Sequence, residues 1–194
     1  MDRDSELELV RRLRHGDAEA FDVVHAAFNA RLFGFLARLA RSREVAEDLL
    51  EETWLRLVEH AARLREDTRI GPWLFTVARN LYVSYCRSRM LQDAHGADMI
   101  GLWPSVQPSS PFEETSTHEL ERRLEAALAT VPMIYREVLL LVVVEGLKPS
   151  EAAVVCGITP EALRQRLSRG RALLVERMGE NSVQLTRLIS EVSS

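Results

Sequence analysis

Apolar residues recur along this chain at three- and four-residue steps, which is the spacing of an amphipathic helix. Between residues 18 and 39 these steps are made by Phe21, Val24, Phe28, Leu32, Phe35 and Leu39. The β-branched run at 138–144 resembles a strand, but its helical flanks favour a buried helix that ends at Gly146. The pattern therefore predicts an all-α protein.

A change of composition divides the chain into two helical domains. Residues 92–117 contain three prolines, two glycines and many small polar residues without a sustained period, which predicts a flexible linker. We expect one small domain at 1–91 and a second at 118–180. A short tail at 181–194 has apolar residues at helical spacing.

The segment 145–171 has the layout of a helix-turn-helix. A first short helix is expected to begin near Pro149 and to stop at Gly157, and Thr159 is an N-cap candidate for the second helix. At 100° per residue, one side of the second helix is apolar or small, and we expect it to face the core. That side consists of Leu163, Leu167, Gly170 and Leu174.

The opposite side of this second helix is polar and basic. It carries Arg164, Gln165, Ser168 and Arg169, with Arg166 and Arg171 on its flanks. Arginine and glutamine donate forked hydrogen bonds to base edges and phosphates, so this face suits the major groove of DNA. Helix pairs joined by a glycine also occur in bundles without DNA, and the segment alone leaves both interpretations open.

A third helix is predicted from Ser42 as N-cap, with Ala46, Leu49, Leu50, Trp54 and Leu57 on its apolar face. Its acids, away from that face, are Glu44, Glu47, Asp48, Glu51 and Glu52. Acids in the first turn interact favourably with the helix dipole, whereas like charges four residues apart cost a few tenths of a kcal/mol. The acids predict a docking face for a basic partner, and a merely solvated face is the alternative.

A further helix beginning at Gly71-Pro72 interleaves aromatic and basic residues: Trp73, Phe75, Tyr82 and Tyr85 with Arg79, Asn80, Arg87 and Arg89. Aromatic rings beside arginines bind single-stranded DNA by stacking and charge, and the Asn80 amide can read a base edge. The alternative is that Trp73, Leu74, Val77 and Leu81 pack into the core. We favour that alternative for Trp73 and Leu74.

Composition indicates an ordinary globular protein, with 46% apolar and 28% charged residues. No apolar run approaches the ~20 residues of a membrane span, and the charged start is not secretory, so we expect a cytoplasmic protein. Cys86 and Cys156 are expected to be reduced thiols. The histidines are scattered, which predicts no metal site, no cofactor and no enzymatic centre. The net charge of −4 argues against a general nucleic-acid coat protein but permits a local basic face.

In this order, the segments resemble the sigma-70 family of bacterial RNA polymerase sigma factors, in the small extracytoplasmic-function (ECF) group. AEDLLEETW is similar to the family segment that docks on the clamp helices of the largest polymerase subunit. PWLFTVARNLYVSYCRSR resembles the segment that opens and reads the −10 promoter element. The stretch 131–171 resembles the region that reads the −35 element, and the resemblance spans residues 6–178.

The resemblance implies a sigma factor that binds core RNA polymerase and directs initiation at promoter DNA. Its polymerase contacts would be the clamp helices of the largest subunit and the flap of the second largest, and an anti-sigma factor would be a further partner. Trp73 would be mainly structural, and the loop 65–71 would help to hold a flipped base. Thr76, Ser84 and Gly170 depart from residues common in the family.

The residues implied by the resemblance fall into three groups. Those for polymerase are Glu47, Asp48, Glu51 and Glu52. Those for the −10 element are Phe75, Arg79, Asn80, Tyr82 and Arg87. Those for the −35 element are Arg164, Gln165, Arg166, Ser168, Arg169 and Arg171.

Two alternatives use the same features. A stand-alone regulator with this helix-turn-helix would be expected to carry a dimerisation or sensing domain, whereas the N-terminal half offers an acidic face and a stacking helix. A sigma mimic that titrates an anti-sigma factor would not need DNA-reading residues such as Arg164, Arg169 and Asn80.

Overall fold

The computed structural model describes the backbone of residues 3–94 and 119–178, and the side chains of 3–91 and 122–178. The chain divides into two compact units, Met1–Gln107 and Pro108–Ser194. All regular structure in the described ranges is helical, which confirms the all-α prediction. Nearly all of the predicted linker and the whole of the predicted tail lie outside the described residues.

Within residues 3–94, the first unit has four helices, α1 (Arg3–Arg14), α2 (Ala18–Ala40), α3 (Arg43–His60) and α4 (Ile70–Ala94), with a 3₁₀ turn at Ala61–Arg63. The Asp17 carboxylate caps α2 by accepting the Glu19 N–H at 2.9 Å. Ser42 Oγ caps α3 by accepting the Val45 N–H at 3.4 Å, as predicted. The large side chains at the centre of the unit include Leu32, Phe35, Leu36, Leu57, Leu74 and Phe75, all fully buried.

The side of α4 that faces this core differs from the predicted one. Its buried residues are Ile70, Gly71, Leu74, Phe75, Ala78, Tyr82 and Cys86. Of the two residues for which we favoured inward packing, Leu74 is buried and Trp73 is only half-buried. Val77 and Leu81, for which it was the alternative, are half-buried as well. The helix is apolar around much of its circumference, so helical spacing alone admits two inward faces. Packing against α2 and α3 selects between them.

The second unit contains α5 (Glu119–Thr130), α6 (Met133–Leu139), α7 (Pro149–Cys156) and α8 (Pro160–Met178). After α6 the chain continues as a π-helical turn at Leu140–Val144. The prediction of a helix over the β-branched run is therefore confirmed, although this part of the helix has π rather than α hydrogen bonding. The buried guanidinium of Arg136 donates to the carbonyls of Ala129 and Val131, at 3.0 and 2.8 Å. These bonds satisfy carbonyls at the end of α5.

The side of α8 that faces the core is the predicted one, with Leu163, Leu167, Gly170 and Leu174 all buried. At Gly170 a Cβ atom would lie 3.2 Å from Leu139 Cγ and 3.3 Å from Tyr135 Cβ. Glycine at this position therefore allows α6 and α8 to approach closely. The close approach gives a physical reason for the absence of alanine there.

Candidate functional site

The turn between α7 and α8 has the geometry that the sequence predicts for a helix-turn-helix. Gly157 ends α7 in the left-handed region, with φ of 64°, where glycine is favoured. Thr159 Oγ1 accepts the Ala162 N–H at 3.1 Å and caps α8. At the start of α7, the Glu151 carboxylate accepts the Lys148 N–H at 3.0 Å. Local hydrogen bonds thus fix the start of α7 and the turn that joins it to α8.

Opposite its buried stripe, α8 presents an exposed polar surface, which we call the α8 outer face: Arg164, Gln165, Ser168 and Arg169. Within this surface, Arg164 pairs with Glu161 on the same helix. Both partners of this pair are mostly exposed, with 70% and 63% of their side-chain surface accessible. A pair so open to water contributes little to stability, and Arg164 can exchange it for a phosphate or a base.

Arg166 and Arg171 lie on the flanks of α8 and are half-buried. Arg166 Nη1 lies 3.3 Å from Oε1 of Glu137, a carboxylate that is 1% exposed on α6. Desolvation by burial lowers the pKa of the Arg171 guanidinium below its ordinary value, although an arginine remains charged. Through its contact with Glu137, Arg166 joins α8 to α6. The DNA contacts expected of both arginines stay predictions.

Two of the residues expected at the −10 strand belong to the core of the first unit instead. The Phe75 ring is 0% exposed and packs edge-to-face on Phe35, with ring centres 5.3 Å apart. Tyr82 is 5% exposed, and its hydroxyl donates to the Leu39 carbonyl at 2.9 Å. Base stacking requires an accessible ring face. The expectation that Phe75 and Tyr82 contact DNA is therefore wrong for this structure.

The outer side of α4 carries Trp73, Asn80 and Arg87 at seven-residue steps. A straight α-helix drifts only ~20° over each such step, so the three lie along one stripe. Asn80 and Arg87 are exposed and Trp73 is half-buried, while Arg79 is half-buried on a flank. Trp73 is the aromatic residue that the sequence reasoning assigned to the core. The seven-residue spacing between Trp73 and Asn80 was the sequence signal that could have placed Trp73 on the outer side of α4.

The loop before α4 forms a compact turn. The Thr68 N–H donates to the Arg65 carbonyl at 3.0 Å, and Arg65 Nε donates to the Asp67 carboxylate at 2.9 Å. This hydrogen bond raises the pKa of Arg65 and lowers that of Asp67, and water screens the pair because both side chains are exposed. The turn leaves charged side chains accessible just ahead of α4.

Three of the four acids predicted to bind polymerase, Glu47, Asp48 and Glu51, are exposed on α3, and Glu52 is half-buried. Glu47 pairs with Arg43 at 2.8 Å. Glu52 pairs with Arg56 at 2.8 Å. For Asp48 and Glu51, no ion pair is found with any residue whose side chain the structure describes. These two acids are therefore the ones most available to an outside partner.

Beside these acids, α2 and α3 enclose a cleft of about 410 Å³. Its walls include Phe21, Leu50, Trp54, Leu55 and Val58, and Glu47 and Glu51 also line it. Leu55 and Val58 are 50% and 63% exposed, and the sequence reasoning gave them no role. The signal for them was a second stripe on α3, in which Glu47, Glu51, Leu55 and Val58 follow at steps of four, four and three residues. That stripe joins carboxylates to accessible apolar surface.

Other chemistry is sparse in the part of the chain that the structure describes. Cys86 and Cys156 are free and buried, and desolvation raises the pKa of the Cys86 thiol. No group of three or more potential metal ligands occurs there. None of the described helices is long and apolar enough to cross a membrane.

Residues 24–91 match the Sigma-70 region 2 family, and residues 121–174 match Sigma-70, region 4. The RNA polymerase sigma factor CarQ of Myxococcus xanthus is 34% identical over 178 residues, which cover 92% of this chain and 100% of that protein. The ECF RNA polymerase sigma factor SigM of Bacillus subtilis is 28% identical over 153 residues, covering 79% of this chain and 91% of that protein.

Two solved structures share the fold. The sigma factor RpoE from Bartonella quintana, solved in complex with the anti-sigma factor NepR, superposes with a TM-score of 0.67 at 24% identity, covering 82% of this chain and 97% of that one. CnrH, solved in complex with the cytosolic domain of CnrY, gives 0.63 at 20% identity, covering 87% and 94%. The two matched family regions fall one in each compact unit. The chain therefore belongs to the ECF group of the sigma-70 family, whose members are non-enzymatic transcription initiation factors.

Proposed function

We propose that this protein directs core RNA polymerase to promoters by reading two DNA elements with its two units. The second unit reads the −35 element as duplex through the α8 outer face. The first unit captures the opened −10 strand and docks on polymerase through α3. The protein acts in the cytoplasm. The observation that carries this proposal is the division of α8 into a buried leucine side and an exposed Arg/Gln/Ser side.

The α8 outer face suits base-edge recognition because its arginines and glutamine project from a helix that is capped at its start by Thr159 and packed on the core through its leucine side. Each well-placed forked contact discriminates against a wrong base by about 1–3 kcal/mol. We expect Arg169→Ala to weaken binding to a −35 duplex by about that amount and to leave core polymerase affinity unchanged. Arg63→Ala is the control, since it removes an exposed arginine of the first unit, which the proposal does not place on the −35 duplex.

Fluorescence anisotropy with labelled promoter, with and without core polymerase, measures both quantities. Equal loss of core affinity in Arg169→Ala would remove the −35 assignment. The wild-type protein is expected to bind its promoter tightly only together with core polymerase. Tight and specific binding by the protein alone would instead favour a stand-alone regulator.

On the first unit, we propose that Trp73, Asn80 and Arg87 replace Phe75 and Tyr82 as the residues that meet the −10 strand. A half-exposed indole supplies a stacking face, the amide reads a base edge, and the guanidinium meets the backbone. Arg79 lies on the flank of the same surface. The loop 65–71 contributes to the pocket for a flipped base, whose unstacking costs a few kcal/mol that these contacts must offset.

Forked DNA that carries a single-stranded −10 segment tests this arrangement. Asn80→Ala is expected to lower the affinity of the holoenzyme for forked DNA while leaving affinity for a −35 duplex unchanged. Ser88→Ala, at an exposed position of the same helix outside the Trp73–Asn80–Arg87 stripe, is the control. Equal affinity of the Asn80 variant and wild type for the fork would exclude a base contact by this amide.

For polymerase binding, we propose the α3 stripe in which Glu47 and Glu51 adjoin Leu55 and Val58, together with Asp48 and Glu52. Carboxylates supply long-range attraction to a basic partner, and the accessible apolar residues supply area that is buried on binding. The partner sites are the clamp helices of the largest subunit, with the flap of the second largest subunit meeting the second unit.

Reversing the charge at the two unpaired acids tests this docking face. The double variant Asp48→Arg, Glu51→Arg is expected to lower affinity for core polymerase at least tenfold, with a weaker effect at high salt. Glu8→Arg reverses an exposed acid on α1 and should leave the affinity unchanged. Wild-type affinity in the double variant would mean that these acids are only solvated.

One structural neighbour, the sigma factor RpoE from Bartonella quintana, was solved with an anti-sigma factor, and we propose that this chain too has an anti-sigma partner. Such a partner is expected to compete with polymerase for the first unit. The test is to add a candidate protein before core polymerase and to measure run-off transcription. Unreduced transcription at saturating amounts of every candidate tested would count against this partner.

A further inference from the structure

Glu6 is a buried carboxylate on α1 that contacts the segment leading into α4. Its side chain is almost inaccessible, and the residue is 6% exposed. Oε1 accepts the backbone N–H of Ile70 at 2.9 Å, and Oε2 lies 2.8 Å from Arg69 Nε. Because Ile70 is the first residue of α4, this charged acceptor binds one of the N–H groups that a helix leaves without an internal partner.

Two more side chains of α1 contact the same loop. Arg3 Nη2 donates to the Asp67 carbonyl at 2.8 Å, and Arg14 Nη1 donates to Glu66 Oε1 at 2.8 Å. The contacts span 64 and 52 residues of sequence, so they are made only once the tertiary structure has formed. We call Arg3, Glu6 and Arg14 the α1 clamp. Together they hold the loop from one side at positions 66, 67, 69 and 70.

Burying a carboxylate is costly unless it is paired and hydrogen-bonded. An apolar residue at position 6 would fill the space beneath α1 without that cost. The acid contributes something that an apolar residue could not, namely an acceptor for the Ile70 N–H and a partner for Arg69. Both of these groups belong to the segment 65–71. Elsewhere α1 packs through the apolar residues Leu9, Val10 and Leu13, and near its end Arg12 pairs with Asp17 at 2.6 Å. Outside α1, Glu6 therefore contacts the loop.

We propose that Glu6 is a positioning residue for −10 recognition, through which the α1 clamp holds the loop 65–71 in the shape that receives a flipped base. This inference rests on the proposed function of that loop. A pocket that is already ordered loses less conformational entropy when it binds than one that must order around its ligand. The clamp thereby increases discrimination between bases without touching DNA itself.

The decisive variant is Glu6→Gln, which keeps the side-chain shape and one acceptor oxygen. It removes the charge that lies 3.0 Å from Arg3 Nη1 and 2.8 Å from Arg69 Nε. Glu8→Gln is the matched control, because Glu8 lies on the same helix, is 61% exposed and pairs with Arg11 at 3.5 Å. Holoenzymes made with wild type and each variant are compared on forked DNA carrying each of the four bases at every −10 position.

The expected result is a selective loss of discrimination. The affinity ratio between the best and the worst base at the flipped position should fall about tenfold in Glu6→Gln, within the range known for hydrogen bonds to charged groups. It should be unchanged in Glu8→Gln. Affinities for core polymerase and for a −35 duplex should agree within about twofold across all three proteins, which a general loss of folding would not allow.

A second readout follows the loop directly. Hydrogen exchange of the Ile70 amide should be at least about tenfold faster in Glu6→Gln than in wild type, whereas the Leu74 amide, one turn further into α4, should change little. Wild-type discrimination together with wild-type exchange at Ile70 would overturn the proposal. Parallel losses of core affinity and base discrimination would also overturn it, because they would show a structural role only.

Two further outcomes remain interpretable. If Glu6→Gln does not fold, Arg14→Gln removes an exposed clamp contact from the same helix, and an unchanged base ratio in that variant would count against the proposal. If wild-type holoenzyme shows no base preference in the −10 element, the proposed function of the loop fails. Exchange at Ile70 then decides whether the clamp orders the loop at all.

Discussion

Arg166 is expected to stabilise the second unit through its contact with Glu137, and Arg166→Met tests this. Methionine keeps most of the apolar stem and removes the charge that lies 3.3 Å from buried Glu137. Removing one partner of a fully buried ion pair costs about 3–5 kcal/mol. Here the arginine side chain is 30% exposed, and Glu137 makes a further interaction, so we expect a loss of about 1–3 kcal/mol.

Amide hydrogen exchange resolved by peptide is the appropriate assay, because two units in one chain need not unfold together. A loss of about 1–3 kcal/mol lowers protection in α6 and α8 by roughly 5- to 150-fold when exchange reports the opening equilibrium. Peptides from α2 serve as an internal reference and should not change. Arg164→Met is the matched control, since its exposed pair is worth less than about 0.5 kcal/mol.

The double variant Arg166→Met, Glu137→Gln completes a thermodynamic cycle. Because the glutamine leaves no buried charge behind, the second change should recover part of the lost protection. Unchanged protection in Arg166→Met, combined with a loss of −35 affinity as large as in Arg169→Ala, would refute this reasoning. That result would show that Arg166 contacts the −35 DNA and contributes little to the stability of the second unit.

Three further outcomes follow from the packing. Gly170→Ala should destabilise the second unit by about 1 kcal/mol despite a helix-propensity gain of similar size, because Leu139 must move aside. Amide protection in that unit equal to or higher than in wild type would show that Leu139 moves easily. Tyr82→Phe should destabilise the first unit by about 1 kcal/mol, because it removes the hydrogen bond to an α2 carbonyl, and should leave the affinity for forked DNA unchanged. A loss of that affinity without a loss of stability would show that Tyr82 contacts DNA. The pKa of Asp17 is lowered from 3.8, chiefly by the hydrogen bond from Arg12, so its contribution is present above pH 3.8 and lost as pH falls through the lower folded-state value. The unfolding temperature should thus fall less between roughly pH 5 and pH 3 in Asp17→Asn than in wild type. An equal fall in both proteins would show that the ionised Asp17 carboxylate does not contribute to stability.

Local chemistry made much of the helix-turn-helix predictable. Gly157 and Thr159 act within a few residues of themselves, one by adopting a left-handed backbone and the other by capping a nearby N–H. The buried stripe of α8 was also readable, because its leucines alternate with strongly polar residues and only one face can turn inward. In α4, by contrast, apolar residues cover much of the circumference. The period therefore left two orientations open, and Phe75 and Tyr82 were assigned to the wrong side.

The sequence by itself determined the all-α class, the order of the two helical units and the exposed Arg/Gln/Ser face of α8, since each follows from helical spacing and short-range capping. Only the tertiary structure decided which face of α4 is buried, that Arg166 meets Glu137, and that Glu6 meets Ile70. Those contacts join residues from 29 to 64 positions apart. Nothing in the local pattern marks such partners, because the pairing depends on how whole helices pack.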